Sequence, residues 1–154
     1  MNARLSREVI DLLNEETTTK ILATIDGEGL PHAVIRGELH AGEDGNLHLP
    51  ELLESSATNR NLLRSLWFDR KVSVTLHGAD GRTIEIKGRP IKTHISGPLF
   101  LQHYRKVQQQ HGDVDLAAVW IIAPDDVQET SFAILKSRQD AERRTFVHLN
   151  RLLK

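Results

Sequence analysis

The chain of 154 residues contains no cysteine, and aromatic residues make up only 5% of it. Without cysteine there is no disulfide framework, no thiolate metal site and no cysteine nucleophile. No apolar run approaches the roughly 20 residues that a membrane-spanning helix needs, and the first residues lack an apolar stretch of signal-peptide length. We therefore expect a cytoplasmic protein that has no membrane partner.

Familiar catalytic and metal-binding signatures are also missing. The sequence has no Gly-x-Ser-x-Gly nucleophile elbow and no Walker loop, so nothing indicates acyl transfer or a P-loop nucleotidase. Of the eight histidines, His40 and His48 flank one turn and face each other across a predicted hairpin, while His103 and His111 lie two helical turns apart. A zinc site needs three or four converging ligands, and none is evident at local spacing. We expect no metal site, and we name no catalytic residue.

The composition is that of one globular domain, with 39% apolar residues, 27% charged residues and a net charge of −1. No repeat or linker divides the chain, so residues 1–154 are interpreted as a single domain. Charge is uneven, because residues 136–154 contain six basic and two acidic side chains. A basic tail can bind nucleic acid or an acidic partner, but a solvated helix face is the simpler interpretation. Nucleic acid is not an expected partner.

Hydrophobic periodicity and turn residues predict four helices and six strands. The predicted helices cover residues 5–14, 55–66, 98–111 and 139–153, the last as an appendage to the domain. The predicted strands cover residues 19–25, 31–40, 46–49, 71–76, 82–87 and 117–123. Short glycine-containing turns join several strands, which indicates antiparallel hairpins. The sequence therefore predicts an α+β protein with a mainly antiparallel sheet, in which six strands suffice to close a small barrel.

Five short motifs follow one another along the chain. They are Ala23-Thr24 with the Asp26 to Gly29 turn and Pro31-His32; Arg60-Asn61-Leu62 before Val72-Ser73-Val74; Ile86-Lys87-Gly88-Arg89-Pro90; Gly97-Pro98; and Val119-Trp120-Ile121 before Pro124. In this order they resemble the pyridoxamine 5'-phosphate oxidase-like family of FMN-binding proteins, over roughly residues 5–132. The resemblance implies a six-stranded split β-barrel with peripheral helices, and a homodimer that holds FMN at the subunit interface.

The resemblance also implies where FMN is bound. In the family, the phosphate lies near the start of the helix after the third strand, where free N–H groups and the helix dipole suit an anion. The matching residues are Arg36, Ser55, Ser56, Thr58, Arg60 and Asn61. The isoalloxazine ring is expected across the second and third strands, near Val34, Ile35 and Leu49.

One departure from the family concerns the charge at this site. Relatives commonly carry a lysine shortly before the Asn-Leu pair, and this chain has Ala57 and Thr58 there. Losing a charge-assisted hydrogen bond costs about 1.5–3 kcal/mol, unless Arg36 or Arg60 replaces it. The resemblance implies an FMN-dependent oxidoreductase or electron-transfer protein that acts with a small-molecule substrate or electron donor. The alternative is a split barrel that has lost FMN and binds haem, another ligand or a protein partner.

Overall fold

In the computed structural model, which describes residues 3–143, seven strands form one curled antiparallel sheet with helices around it. The strands are β1 (Thr19–Ile25), β2 (Pro31–Ile35), β3 (His40–Ala41), β4 (Leu47–Glu51), β5 (Val72–His77), β6 (Thr83–His94) and β7 (Ala118–Glu129). The helices are α1 (Arg7–Asn14), α2 (Ala57–Trp67), α3 (Pro98–His111) and α4 (Phe132–Glu142). The strand order is β2-β1-β5-β6-β7-β4-β3. The predicted α+β class with an antiparallel sheet is confirmed.

The number of strands differs from the prediction because the predicted strand at residues 31–40 is two strands, β2 and β3. The chain turns between them, and the N–H of Leu39 donates to the carbonyl of Arg36 at 3.3 Å. The ammonium group of Lys20 donates to the carbonyls of Gly37, at 3.1 Å, and Leu39, at 2.9 Å. A distant side chain thus satisfies the carbonyls of the turn, which is why local sequence gives no sign of the break.

Strands β6 and β7 extend well past their predicted ends, to 12 residues each. Their pairing shifts register between Lys87 and Gly88 and again between Pro90 and Lys92. Such irregularities let a strand accommodate proline and bend around a core. The prediction stopped at residue 87 because the Gly88 and Pro90 positions resemble the end of a strand.

Two serines begin helices as N-caps. The Oγ of Ser6 accepts a hydrogen bond from the N–H of Val9 at 3.3 Å, and the Oγ of Ser56 accepts one from the N–H of Asn59 at 2.9 Å. Such caps satisfy N–H groups that have no partner within the helix. In α2 the buried side chains recur at helical spacing, which turns one face toward the sheet; they are Thr58, Asn61, Leu62 and Ser65.

Helix α4 covers Phe132–Glu142 and so begins before the last predicted helix, which was placed at residues 139–153. Most of the predicted segment, including the whole of its apolar stripe, lies outside the described residues. Within residues 3–143, none of the helices is both long and apolar enough to cross a bilayer.

Strand β7 separates two apolar clusters. Trp120 and Ile122 pack into the main core between the sheet, α1 and α2, whereas Val119 and Ile121 pack with Val107 of α3 on the opposite face. This arrangement explains why the segment is apolar at every position, since each face covers a different core. It also holds α3 against the outside of the sheet, close to the β3–β4 hairpin.

Candidate functional site

Arg36 and Glu51 form an ion pair ahead of α2. A guanidinium nitrogen of Arg36 lies 3.3 Å from Oε2 of Glu51, whose side chain is 0% exposed. The other carboxylate oxygen of Glu51 accepts the N–H of Leu53 at 3.1 Å. Arg36 follows β2, at one edge of the sheet, and Glu51 ends β4, near the opposite edge, so the pair joins the two ends of the curled sheet.

The predicted hydroxyl donors differ in what they can reach. Ser55 is exposed, and Ser56 caps α2 while its hydroxyl proton stays available. Thr58 is buried on the face of α2 that packs against the sheet, and its Oγ1 has no hydrogen-bond partner among the described residues. The two serines are therefore the hydroxyl residues placed to meet a ligand at the start of the helix.

Arg60 and Asn61 lie further along α2. Asn61 is buried and its amide donates to Oγ1 of Thr24 at 3.0 Å, which fastens α2 to β1. Arg60 is exposed and lines a cleft of about 500 Å³ with Arg64 and His32 beside the β1–β2 turn. The structure thus gives Asn61 a packing role and places Arg60 in a cleft whose lining also includes Asp26 and Glu28.

The three residues predicted to contact the flavin ring do not share one continuous surface. Val34 is half-buried and Ile35 is 71% exposed on β2, which is an edge strand. Leu49 is fully buried in the main core on β4. Strand β2 pairs with β1, and β4 pairs with β3 and β7, so the part of the second predicted strand that carries Val34 and Ile35 is not a neighbour of β4.

Three imidazole rings converge at the opposite edge of the sheet. His40 and His48 are register partners on β3 and β4, as predicted, and His103 reaches them from α3. The ring centroids are 5.2 Å apart for His40 and His103, 5.7 Å for His40 and His48, and 5.8 Å for His48 and His103. One nitrogen of each ring lies within 4.8 Å of the other two. We refer to these residues as the histidine trio.

Neighbouring groups orient two of the rings. Nδ1 of His40 lies 2.9 Å from the carbonyl oxygen of Glu38, and Nε2 of His48 lies 3.0 and 3.1 Å from the carboxylate oxygens of Asp44. Since carbonyls and carboxylates only accept, both ring nitrogens carry protons and donate, which leaves the lone pair of each neutral ring on its other nitrogen. Nε2 of His103 is buried and has no hydrogen-bond partner within the described chain.

The environment lowers the pKa of two of the three imidazoles, those of His40 and His103. Burial, with smaller contributions from His40, His48 and Lys106, lowers the pKa of His103 to about 4. Burial also lowers the pKa of His40, in spite of its hydrogen bond to the carbonyl of Glu38. Desolvation disfavours the charged imidazolium, and neighbouring positive groups act in the same direction. Neutral imidazole is the form that binds metal ions.

Two clefts open onto the trio, and His40, His103 and Lys106 line both of them. One cleft has a volume of about 460 Å³ and extends toward Lys20. The other has a volume of about 410 Å³ and includes His48. The trio is therefore held by rigid elements and is accessible from two sides.

Sequence reasoning missed this cluster because its third member is distant in the chain. The pairing of His40 with His48 was visible from the hairpin, but His103 lies on a helix that other strands separate from that hairpin. Tertiary packing of α3 on β7 brings it there. The spacing of His103 and Val107, four residues apart in a predicted helix, could have indicated that both lie on the face of α3 that the structure buries.

The sequence matches no protein-family model, and no curated protein is significantly similar to it. Solved structures with the same fold do exist. HupZ from Group A Streptococcus has a TM-score of 0.68 at 17% identity, over 83% of this chain and 95% of that one. A putative pyridoxamine 5'-phosphate oxidase from Listeria innocua has a TM-score of 0.61 at 17% identity, over 80% and 96%. An FMN-binding protein from Syntrophomonas wolfei has a TM-score of 0.63 at 12% identity, over 82% and 88%.

Proposed function

We propose that this chain, whose fold is that of the pyridoxamine 5'-phosphate oxidase-like split barrels, is an FMN-binding flavoprotein that works as an oxidoreductase or electron-transfer protein. The observation that carries the proposal is Arg36, which pairs with Glu51 at the end of β4, six residues before the first residue of α2. Its Nε is buried and lacks a hydrogen-bond partner among the described residues. A partly buried guanidinium with unused hydrogen-bonding capacity fits a phosphate group, because guanidinium nitrogens donate well to phosphate oxygens.

In this proposal, Arg36, Ser55 and Ser56 hold the phosphate, and Val34 and Ile35 flank the ring from β2. Thr58, Asn61 and Leu49 support the site from the core, and Arg60 draws the anion toward α2. FMN supplies hydride or electron transfer when it is bound, while the chain provides position and exclusion of water. The substrate or electron donor is a small molecule that reaches the exposed face of the ring.

In this proposal, the protein is a cytoplasmic homodimer with the flavin at the subunit interface. Several large apolar side chains are exposed, including Ile35 at 71%, Trp67 at 78% and Phe68 at 65%. Exposed aromatic and aliphatic residues in this amount favour a covered face. Light scattering of the purified protein is expected to give twice the chain mass of 17.4 kDa.

A second candidate function rests on Glu51. Its buried carboxylate already supplies Arg36 with the negative charge that a phosphate would bring. If that ion pair is permanent, the chain is a split barrel without FMN that binds haem, another ligand or a protein partner. The two candidates differ in what happens when the carboxylate is neutralised.

Titration of FMN fluorescence separates the two candidates. With FMN binding, Arg36→Met weakens the complex by about 10- to 150-fold, the loss of one charge-assisted interaction. Glu51→Gln tightens it, because a competing carboxylate becomes neutral. Arg7→Met, at an exposed position paired only with Asp11 in the described structure, is the matched control and leaves the affinity unchanged. If neither the wild type nor Glu51→Gln quenches FMN fluorescence, the second candidate replaces the first, and a Soret band with added haem then supports its haem form.

A further inference from the structure

We infer that His40, His48 and His103 bind a divalent transition-metal ion such as Zn²⁺, with an open coordination position that faces the two clefts. The proposal uses none of the residues assigned to FMN and stands whether or not FMN binds. Three imidazoles from separate elements are the donor set of zinc sites that keep a fourth position for water or substrate.

The distances suit such an ion after small side-chain movements. Zn–N bonds of about 2.0–2.1 Å in a tetrahedral arrangement place ligand nitrogens about 3.4 Å apart. In the structure, one nitrogen of each ring is already within 4.8 Å of the other two. Closing the remaining gap needs changes in side-chain torsion angles only, because the backbone of β3, β4 and α3 already brings the rings together.

The second observation is the hydrogen bonding around the rings. His40 donates to the carbonyl of Glu38 and His48 donates to the carboxylate of Asp44, and these are the kinds of partner that orient metal-binding histidines. Asp44 is in turn held by the N–H of Asn46 at 3.0 Å. These contacts fix which nitrogen of each ring carries the proton and leave the other for a metal.

The third observation argues against simple packing of three rings. Nε2 of His103 is buried and has no hydrogen-bond partner within residues 3–143. An unsatisfied buried polar atom is expensive, and native structures rarely keep one without a reason. A metal ion shared with His40 and His48 would satisfy this nitrogen.

Gly42 supports the same conclusion from the backbone. A Cβ at this position would collide with the ring of His48, so only glycine lets the imidazole lie across the chain at the β3–β4 turn. Gly42 thus leaves room for the ring beside His40 and His103. Lys106, exposed at the mouth of both clefts, is placed to attract an anionic ligand to the open position.

The test uses full-length protein without a histidine tag, stripped with a chelator and free of FMN. Zn²⁺ affinity is measured by competition with a chromophoric chelator, and Co²⁺ is added separately as a spectroscopic probe. We expect one ion per chain and the strong visible absorption of four-coordinate Co²⁺. His103→Phe, which keeps the apolar volume, should weaken Zn²⁺ binding by more than about 100-fold, and Asp44→Asn by about 10- to 100-fold.

His77→Phe is the matched control, because His77 is exposed and bonded to Thr83 at 2.9 Å, away from the trio. The proposal is supported if binding is lost in His103→Phe and retained in His77→Phe. It is overturned if the wild type binds no Zn²⁺ at neutral pH or if both variants bind equally. If His103→Phe does not fold, Gly42→Ala is tested instead. This variant keeps all three imidazoles but displaces the ring of His48. Unchanged Zn²⁺ affinity and Co²⁺ absorption in Gly42→Ala would overturn the proposal.

Discussion

Trp120 of β7 and Asn59 of α2 are joined by a hydrogen bond of 2.8 Å from the indole Nε1 to the amide Oδ1. The indole is almost fully buried, and the amide nitrogen of Asn59 donates to the carbonyl of Glu54 at 2.9 Å. Asn59 therefore links the first turn of α2 to the centre of the main core. Ser55 and Ser56, two of the proposed phosphate-binding residues, depend on this link for their position, because they directly precede the first turn of α2.

Replacing Asn59 with alanine should destabilise the protein. The indole N–H of Trp120 would lose its acceptor inside the core, which costs about 1–3 kcal/mol. Urea unfolding of the variant should show this loss in the free energy of unfolding. Gln128→Ala, which removes an exposed hydrogen bond to Asp126, is the control and should change it by less than about 0.5 kcal/mol. Equal effects in the two variants would contradict the role assigned to Asn59.

Gly88→Ala should also destabilise the fold, for a steric reason. A Cβ on Gly88 would run into the backbone carbonyl of Ala123 where β6 and β7 change register. Because the obstacle is backbone, the strands must separate, and we expect a loss of about 1–3 kcal/mol. Gly37→Ala is the comparison, since a Cβ there meets nothing within 4 Å. Thermal melts that rank the two variants in the opposite order would refute this explanation.

Lys20 should make stability depend on pH. Burial lowers the pKa of its ammonium group, with partial compensation by Glu38. Between this lowered pKa and the ordinary value near 10.4, the unfolded chain holds a proton that the folded chain has released. The contribution of Lys20 to stability therefore rises with pH through that window and is lost as pH falls through the folded pKa.

The measurement for Lys20 is the free energy of unfolding from neutral pH to pH 10. The advantage of the wild type over Lys20→Met should grow with pH, on top of a constant difference from the hydrogen bonds to Gly37 and Leu39. Lys92→Met, at an exposed position, is the control, because it shows how removal of an exposed lysine changes the free energy of unfolding over the same pH range. A difference between wild type and Lys20→Met that stays flat would show that the ammonium group is not perturbed.

Local signals predicted those parts of the fold that depend on local interactions. Strand β1 and helix α3 were predicted with the bounds that the structure shows, because alternating β-branched residues and a Gly-Pro start are visible in the sequence. The break between β2 and β3 was missed because Lys20 creates it from another strand. The length of β7 was underestimated because pairing with β6 carries it past Pro124.

The candidate sites were harder to predict than the fold, because they depend on tertiary contacts that local sequence does not record. The family resemblance indicated Arg36 as a phosphate ligand, but the sequence did not decide whether the nearby Glu51 points outward or, as the structure shows, inward to pair with Arg36. The encounter of His103 with the hairpin histidines was equally hidden. The Arg36–Glu51 pair and the histidine trio each join residues from elements that are distant in the chain. Which side chains of those elements meet is decided by tertiary packing across the sheet, and local sequence does not record it.

The pairing of β4 with β7 has a consequence for the order of events during folding. Leu47 is matched with Ile122, although about half of the chain lies between them. Contacts between such remote segments carry a large loop-closure cost and form late. A cation can meet His40, His48 and His103 together only after this closure, so it would bind the native state and not its precursors. Added metal should therefore slow unfolding while leaving the rate of folding almost unchanged.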